Sequence, residues 1–428
     1  MSNSNEYSAT EASAMMAAGK LTAVQLAEDC LARVERREQD VQAWAHLDPQ
    51  HLLAQALASD RQPRRGPLHG IPVAVKDIID TSDMPTEYGS PIYAGHRPQT
   101  DAACVAMLRN AGALVMGKAV TAEFASQHPG KTRNPHNTAH TPGGSSSGSA
   151  AAVADFMAPL ALGTQTGGSV IRPSAFCGIV GFKPTFNVIN RVGVKPNSES
   201  LDTVGILART VPDAALTFSI LTAQDVPDFG AAAMSNPRIG FYRTPQWRHA
   251  DRATAEALEA ALPRLAKAGA CVTEAVLPEK FGDAVAAQGR ISDYEFSRAL
   301  LHERLHFPGK ISATLNKKLT QSDKCTAAQY IAARKLLSEC RRLLDDAFVE
   351  FDVLLVPSTP GEAPAGIETT GNAIFNRMWT ALHVPAVTVP VFTGPAGLPI
   401  GAQLIGPFGM DHKTLVHAEW VRRALTNL

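Results

Sequence analysis

Two short loops rich in glycine and serine contain the residue types that could carry out covalent chemistry. They occupy residues 143–149 (GGSSSGS) and 163–169 (GTQTGGS), and the apolar residues that flank them disfavour a flexible linker. Consecutive small residues can direct several N–H groups into one cavity. A nucleophilic hydroxyl needs a base and N–H donors for the developing oxyanion. In the second loop these groups are the hydroxyl of Ser169 and the N–H groups of Thr166, Gly167, Gly168 and Ser169.

The base could be Lys76, which ends a predicted strand within GIPVAVKDIID (70–80). A lysine on a buried strand loses hydration, which lowers its pKa towards neutrality unless an acid pairs with it. A neutral amine at this point can act as a general base. The alternative is a structural ion pair with Asp77 or Asp80, and the local sequence favours the two interpretations equally.

Two other motif matches in the first loop are disfavoured. Residues 144–148 fit the G-x-S-x-G nucleophile elbow, but that motif follows a strand, and here the loop-like NTAHTPG precedes it. Residues 143–148 have the spacing of a phosphate-binding loop, but Ser149 stands where the lysine should be. Neither match therefore supports an esterase elbow or nucleotide binding.

A third match, HERLH (302–306), has the H-E-x-x-H spacing of zinc hydrolases and lies on a predicted helix. Two histidines at i and i+4 would bind the metal, and Glu303 would act as the base. The third histidine of the longer motif would fall at Ser312. A surface helix is the favoured interpretation, and zinc hydrolysis through His302 and His306 is kept as an alternative function.

Composition limits the classes of function. Among the 428 residues, 40 Lys+Arg balance 40 Asp+Glu, so no long-range attraction to nucleic acid or anionic membranes is expected. No apolar run reaches about 18 residues, which predicts no membrane-spanning helix. The six cysteines form no CxxC motif, and the N-terminus has no signal-peptide pattern, so free thiols in a reducing cytoplasm are expected.

The alternation of strands and helices predicts an α/β sheet. Residues 187–209 are expected to be irregular or to form short strands. Without a linker or repeat, the chain is predicted to form one domain, 1–428, with a helical variable segment inserted at about 283–349. The predicted helices are 22–37, 49–59, 100–110, 253–268 and 412–425, and the predicted strands, besides the one ending at Lys76, are 113–117, 238–242, 271–276, 352–356, 384–391 and 399–406.

Four separated blocks, in the same order, resemble the amidase signature family. They are GIPVAVKD (70–77), GGSSSGSAAAVA (143–154), GTQTGGS (163–169) and PSAFCGIVGFKPT (173–185). The resemblance extends from about residue 10 to the C-terminus. It implies a single large α/β/α domain in which helices cover a mixed central sheet.

The resemblance also implies a Ser–cis-Ser–Lys triad. By motif position, Ser169 would be the nucleophile, Ser145 the bridging serine on a non-proline cis peptide, and Lys76 the base. The N–H groups of residues 166–169 would hold the oxyanion, and neither a cofactor nor a metal is implied.

The chain departs from the family's pattern at three places. Gln165 stands where an aspartate is usual. Ile171 replaces the usual arginine, and Arg172 follows one step later. Thr380 replaces an asparagine. Each departure weakens any inference of this chain's substrate from the substrates of the family.

The resemblance implies hydrolysis of a small or aryl carboxylic amide, or of a carbamate or urea-like bond. The protein would bind a small-molecule amide and neither nucleic acid nor a membrane. The resemblance is compatible with a homo-oligomer. The alternative is the glutaminase subunit of a tRNA-dependent amidotransferase, although the sequence offers no evident arginine for an α-carboxylate. Aromatic residues near the predicted strands suggest a pocket for an apolar acyl group. The predicted pocket residues are Phe124, Gln165, Phe375, Met378 and Trp379.

Overall fold

A mixed β-sheet forms the centre of the structure, a computed structural model that describes residues 3–230 and 236–426. The eleven strands of this described part are β1 (Trp44–Leu47), β2 (Pro72–Lys76), β3 (Leu114–Ala119), β4 (Leu160–Gln165), β5 (Val180–Lys183), β6 (Thr203–Ala208), β7 (Arg238–Phe241), β8 (Cys271–Glu274), β9 (Val353–Pro357), β10 (Ala386–Thr393) and β11 (Pro399–Ile405). Their order is β1-β3-β2-β4-β6-β5-β10-β11-β9-β7-β8. Parallel pairs join β2 to β3 and β4, and β7 to β8 and β9, whereas the other neighbours are antiparallel. The predicted α/β class with a mixed sheet is confirmed.

Helices cover this sheet. Those of the described residues are α1 (Ala9–Ala17), α2 (Ala23–Val41), α3 (Pro49–Asp60), α4 (Ala103–Asn110), α5 (Ser147–Ala154), α6 (Ile171–Phe176), α7 (Val211–Thr222), α8 (Arg252–Lys267), α9 (Ala284–Ala299), α10 (Leu301–His306), α11 (Ala313–Ser322), α12 (Ala327–Ala347), α13 (Arg377–Ala381) and α14 (Asp411–Thr426). Thr22 and Gln25 form a capping box at the start of α2, the helix predicted over 22–37. Within residues 3–230 and 236–426, no helix has both the length and the apolar character needed to cross a membrane.

Strand β2 carries Lys76 into the middle of the structure. All five of its residues are buried, and β3 and β4 flank it on either side. Its apolar side chains fit a strand covered on both faces, which is typical of parallel pairing. Lys76 therefore reaches the carboxyl edge of the sheet without contact with bulk water, as the sequence predicts.

The apolar run between the two glycine-serine loops divides into two elements. Helix α5 ends at Ala154, and Phe156 then adopts a positive φ of 57°. Strand β4 begins at Leu160, directly after Pro159, a residue that commonly separates elements. Strand β4 was not predicted, whereas its antiparallel neighbour β6 lies in the region 187–209, for which irregular structure or short strands were expected. This division places one loop at the start of α5 and the other at the end of β4.

The segment over about 283–349 is helical, as predicted, and consists of α9 to α12. Helix α9 contacts both α12 and α13, so it joins this segment to the body of the protein. Ile291 of α9 and Leu337 of α12 lie in one buried apolar cluster with Trp379 of α13. The segment thereby forms one wall beside the carboxyl edge of β4, and its description as a variable insertion stays a prediction.

Candidate active site

Lys76 and Ser145 are in direct contact. The amine nitrogen of Lys76 lies 2.8 Å from the Ser145 hydroxyl oxygen and 2.8 Å from the hydroxyl of Thr164. The Thr164 carbonyl lies at 3.4 Å. All three side chains are buried. The amine is therefore solvated by hydroxyl and carbonyl oxygens, an arrangement that accommodates a neutral amine.

The environment of Lys76 lowers its pKa to about 7, chiefly because burial disfavours the ammonium form. The nearby Asp202 carboxylate opposes this effect on the pKa of Lys76, and Arg172 adds to it. Asp77 does not pair with Lys76 but lies 3.6 Å from the amine of Lys118 on β3. Asp80 accepts a hydrogen bond from Tyr88. The alternative of a structural ion pair between Lys76 and Asp77 or Asp80 is therefore wrong.

The loop after β4 directs its carbonyl groups away from Ser169. The Thr166 carbonyl accepts from the Gln288 amide at 2.9 Å, and the Gly167 carbonyl accepts from the Thr380 hydroxyl at 2.8 Å. The Ser169 carbonyl accepts from the N–H of Ser146 in the first loop at 3.4 Å. Within the described chain, no acceptor takes the N–H groups of residues 166–169. Free N–H groups beside a serine hydroxyl are the components of an oxyanion hole.

The peptide bond between Gly144 and Ser145 is cis, although its second residue is not proline. Arg172 holds the carbonyl of this peptide: its guanidinium donates to the Gly144 oxygen at 2.5 Å and to the Thr370 hydroxyl at 3.0 Å. A further N–H donates to the Gly371 carbonyl at 2.9 Å. Burial lowers the pKa of Arg172 to about 9. The arginine that follows the second loop thus orients the first loop.

Two of the departures from the family's pattern contact each other. The side-chain oxygen of Gln165 accepts the N–H groups of Val170 and Ile171 at 2.9 and 3.0 Å, and its side-chain nitrogen donates to the Thr380 hydroxyl at 2.9 Å. That hydroxyl in turn donates to Gly167 in the N–H-rich loop. Gln165 and Thr380 therefore form a neutral, fully hydrogen-bonded support beneath Ser169.

A cavity of about 660 Å³ opens in front of this loop. Its charged lining consists of Arg172, Lys317, Lys318, Arg377, Asp293 and Glu368. Lys318 forms an ion pair with Asp293. Within the described residues, the Arg377 guanidinium makes no hydrogen bond or ion pair, although it lines the cavity beside Gly167. The cavity is therefore polar, with an excess of positive charge.

The predicted aromatic pocket is wrong. Phe375, Met378 and Trp379 are almost completely buried and do not line the cavity. Met378 and Trp379 of α13 belong to a buried apolar cluster, and Phe375, which precedes α13, is buried as well. Phe124 is also buried behind the lining, whereas its neighbours Ala125 and Ser126 reach the cavity. Gln165, also predicted there, supports the loop from below.

The H-E-x-x-H match has a structural role. Glu303 is buried and accepts hydrogen bonds from the Tyr93 hydroxyl and the Lys195 amine, each at 2.6 Å. His302 and His306 are exposed on α10. Among residues 3–230 and 236–426, no three His, Cys, Asp or Glu side chains are grouped to hold a metal ion. These contacts favour the surface-helix interpretation over a zinc site.

Four further side chains belong to the site but were not found by sequence analysis: Thr164, Asp202, Gln288 and Arg377. Thr164 lies inside the block at 163–169, so that block contained a signal for it, whereas Asp202 directly precedes β6, outside the four blocks. Gln288 and Arg377 lie on α9 and α13, far along the chain and outside any motif. Only the packing of those helices against the second loop brings them to the site.

The fold and this site define an enzyme that acts on amide C–N bonds, as comparisons with known proteins establish. The family model described as "Amidase" matches residues 25–415, and the chain belongs to that family.

The chain is similar to an amidotransferase subunit and to amidases of known structure. The chain is 34% identical to a glutamyl-tRNA(Gln) amidotransferase subunit of Chloroflexus aggregans (strain MD-66 / DSM 9485), over 94% of this chain and 92% of that protein. It is 30% identical to the amidase of a crystal structure, with a TM-score of 0.90 and coverage of 98% and 100%. It is 31% identical to the native peptide amidase of Stenotrophomonas maltophilia, with a TM-score of 0.82 and coverage of 99% and 97%.

The contact between Gln165 and Thr380 can be tested through stability. Thr380→Val removes the hydroxyl and leaves the Gln165 amide and the Gly167 carbonyl without their partner. We expect the free energy of unfolding to fall by about 1–3 kcal/mol, the usual cost of unsatisfied buried polar groups. Chemical denaturation followed by circular dichroism measures the loss. Thr380→Ser keeps the hydroxyl and should lose only the contribution of one methyl group, about 1 kcal/mol. A valine variant as stable as the unmodified protein would contradict the interpretation.

Proposed function

We propose that the protein hydrolyses a small polar amide through an acyl-enzyme intermediate on Ser169. The observation that supports this most directly is the buried contact between Lys76 and Ser145, adjacent to a serine loop with free N–H groups. Ser–Lys arrangements perform acyl transfer without histidine when the amine is neutral. The lowered pKa of Lys76 fits that requirement.

The proposed reaction begins when Ser145 transfers its proton to neutral Lys76 and receives the proton of Ser169. The Ser169 oxygen attacks the amide carbonyl, and the N–H groups of residues 166–169 stabilise the oxyanion. The C–N bond breaks, and the leaving amine takes the proton from Lys76 through Ser145. Water then attacks the acyl-enzyme by the same route. The carboxylic acid is released, and the Ser169 hydroxyl is restored.

The substrate is proposed to carry an anionic group. Arg377 supports this, because its guanidinium lines the cavity and makes no hydrogen bond or ion pair within the described residues, which suits it to bind a carboxylate. The sequence analysis found no such arginine, and this part of that interpretation is revised. An aryl amide is less well supported, since the predicted aromatic residues lie in the core. A carboxylate-bearing carboxamide such as glutamine has the matching chemistry.

The glutaminase subunit of a tRNA-dependent amidotransferase is the second candidate. It is favoured by the similarity to glutamyl-tRNA(Gln) amidotransferase subunits over almost the whole chain. In that role ammonia would pass to a charged tRNA held by another subunit. Purification of the tagged chain from its own source distinguishes the two functions. A tRNA-binding subunit that copurifies and increases glutamine hydrolysis favours the amidotransferase, whereas full activity of the isolated chain favours a separate amidohydrolase.

The role of Ser169 is tested by Ser169→Ala. Loss of the nucleophile should lower kcat by at least about 10³-fold on any amide that the protein accepts. It should also abolish covalent labelling by a fluorophosphonate probe, measured by mass spectrometry of the intact protein. The matched control is Ser174→Ala, because Ser174 is buried nearby on α6 and its hydroxyl has no hydrogen-bond partner within the described residues. Substantial activity of Ser169→Ala would exclude the proposed mechanism.

The role of Lys76 predicts a pH dependence. The amine must be neutral to accept a proton, so kcat/KM should rise as pH rises through about 7 and fall below it. Lys76→Met should remove the activity. Lys183 provides a control. Burial also lowers its pKa to about 7, but its amine donates to the Pro184 carbonyl rather than to a serine hydroxyl. Lys183→Met should retain the acidic limb, which is the fall of kcat/KM below about pH 7. If that limb vanishes with Lys183 and survives in Lys76→Met, the base is misassigned.

The proposed anionic substrate is tested with glutamine and an uncharged primary amide of similar length. Arg377→Met should lower kcat/KM for glutamine by about 10- to 100-fold, the cost of losing one charged hydrogen bond. The uncharged amide should be affected much less. Arg377→Lys retains the charge and should recover part of the discrimination. Equal losses for the two substrates would contradict a carboxylate contact with Arg377.

A further inference from the structure

Asp202 connects the second glycine-serine loop to the strand beside it. It directly precedes β6, and the antiparallel register of Gln165 with Thr203 brings it next to Thr166. One of its carboxylate oxygens accepts the Thr166 hydroxyl at 2.5 Å. The other accepts the backbone N–H groups of Asn197 and Ser198 at 2.7 and 2.9 Å. These three donors stabilise a carboxylate that is buried.

The same contacts reach two walls of the cavity. Thr166 is held from both ends, because its hydroxyl donates to Asp202 and its carbonyl accepts from Gln288. Asn197 lines the cavity, and its side-chain amide donates to the Phe124 carbonyl at 3.0 Å. Asp202 therefore lies at the junction of the N–H-rich loop and the wall that follows Phe124.

Few other charges act on Lys76. Asp202 is the acid whose charge favours its ammonium form, and Arg172 is the cation that opposes it. Asp77, next to Lys76 in the chain, lies 3.6 Å from the Lys118 amine, which forms a separate ion pair. Burial raises the pKa of Asp202, whereas its hydrogen bonds from Thr166, Ser198 and Asn197 and the charge of Arg191 lower it. The negative charge available to a protonated Lys76 is thus chiefly that of Asp202.

We propose that Asp202 is a positioning residue that holds Thr166 in the oxyanion loop and offsets the positive charge that forms on Lys76. The inference rests on the proposed function, because during the reaction that charge forms when Lys76 receives the proton of Ser169 through Ser145. The attacking step separates an oxyanion at residues 166–169 from an ammonium at Lys76. A fixed carboxylate that is bonded to Thr166 and whose charge acts on Lys76 stabilises this separation without the movement of any group.

Asp202→Asn tests both parts. It removes the negative charge, so the ammonium form of Lys76 becomes less stable, and the acidic limb should move to lower pH by about 1 unit. The amide cannot accept all three hydrogen bonds, so kcat should also fall by at least about tenfold with little change in KM. The limb is measured in kcat/KM for glutamine hydrolysis and in the rate of fluorophosphonate labelling of Ser169.

Two variants of Thr166 separate the positioning role of Asp202 from the effect of its charge on Lys76. Thr166→Val removes the hydrogen bond but keeps the carboxylate, so kcat should fall by about tenfold while the limb stays in place. Thr166→Ser keeps the hydroxyl and should restore kcat. The control is Asp411→Asn, since Asp411 is also a buried acid with a backbone donor, Thr185, and acts on Lys183. It should change neither kcat nor the limb.

The outcomes are distinct. If Ser169→Ala keeps its activity and labelling, the proposed function fails. If Ser169→Ala is inactive but Asp202→Asn leaves both kcat and the limb unchanged, the role of Asp202 is wrong. If Asp202→Asn does not fold, the Thr166→Val and Thr166→Ser variants test the positioning role instead. A loss in the valine variant with recovery in the serine variant supports the positioning role, and unchanged activity in both overturns it.

Discussion

The burial of an amine without a carboxylate in direct contact is the constraint on which the site depends. Lys76, Lys118 and Lys183 all end or lie near the ends of buried strands, yet their contacts differ. Lys118 lies near Asp77 and donates to the Ile79 carbonyl at 2.5 Å, which suits a structural cation. Lys76 instead meets the hydroxyl groups of Ser145 and Thr164. An amine among hydroxyl groups gains little from protonation, so burial dominates and its pKa falls towards neutrality.

The second requirement is that a loop exposes its N–H groups rather than its carbonyls. A peptide offers both, and a buried carbonyl needs a partner as much as an N–H does. The loop after β4 meets this requirement with donors from outside, including Gln288 of α9 and Thr380 of α13. Once the carbonyls are bound there, the N–H groups are left on the side of the cavity. The preorganisation of this loop therefore depends on helices distant in sequence.

This dependence explains how much the sequence could reveal. The resemblance of short blocks to a known family indicated Lys76, Ser145 and Ser169, although the local sequence alone left Lys76 equally open to a structural ion pair. The prediction of a pocket residue failed for Trp379, since an aromatic residue near a strand fills the core more often than it lines a polar cavity. Arg377 and Gln288 gave no local signal at all. Their roles arise from packing between elements, which single-sequence patterns do not encode.

The cavity therefore has two walls of different origin. One is formed by residues 166–169 of the second glycine-serine loop, and Lys76 and Ser145 are buried close to it. The other includes Lys317, Lys318 and Asp293 from the helical segment and Arg377 from α13. Substitutions on the second wall alter charge and shape without disturbing the contact between Lys76 and Ser145. This separation gives a physical reason why one chain can be similar both to a peptide amidase and to part of an amidotransferase. The proposed chemistry lies on the first wall, so charge on the second wall is the feature by which substrates would be distinguished.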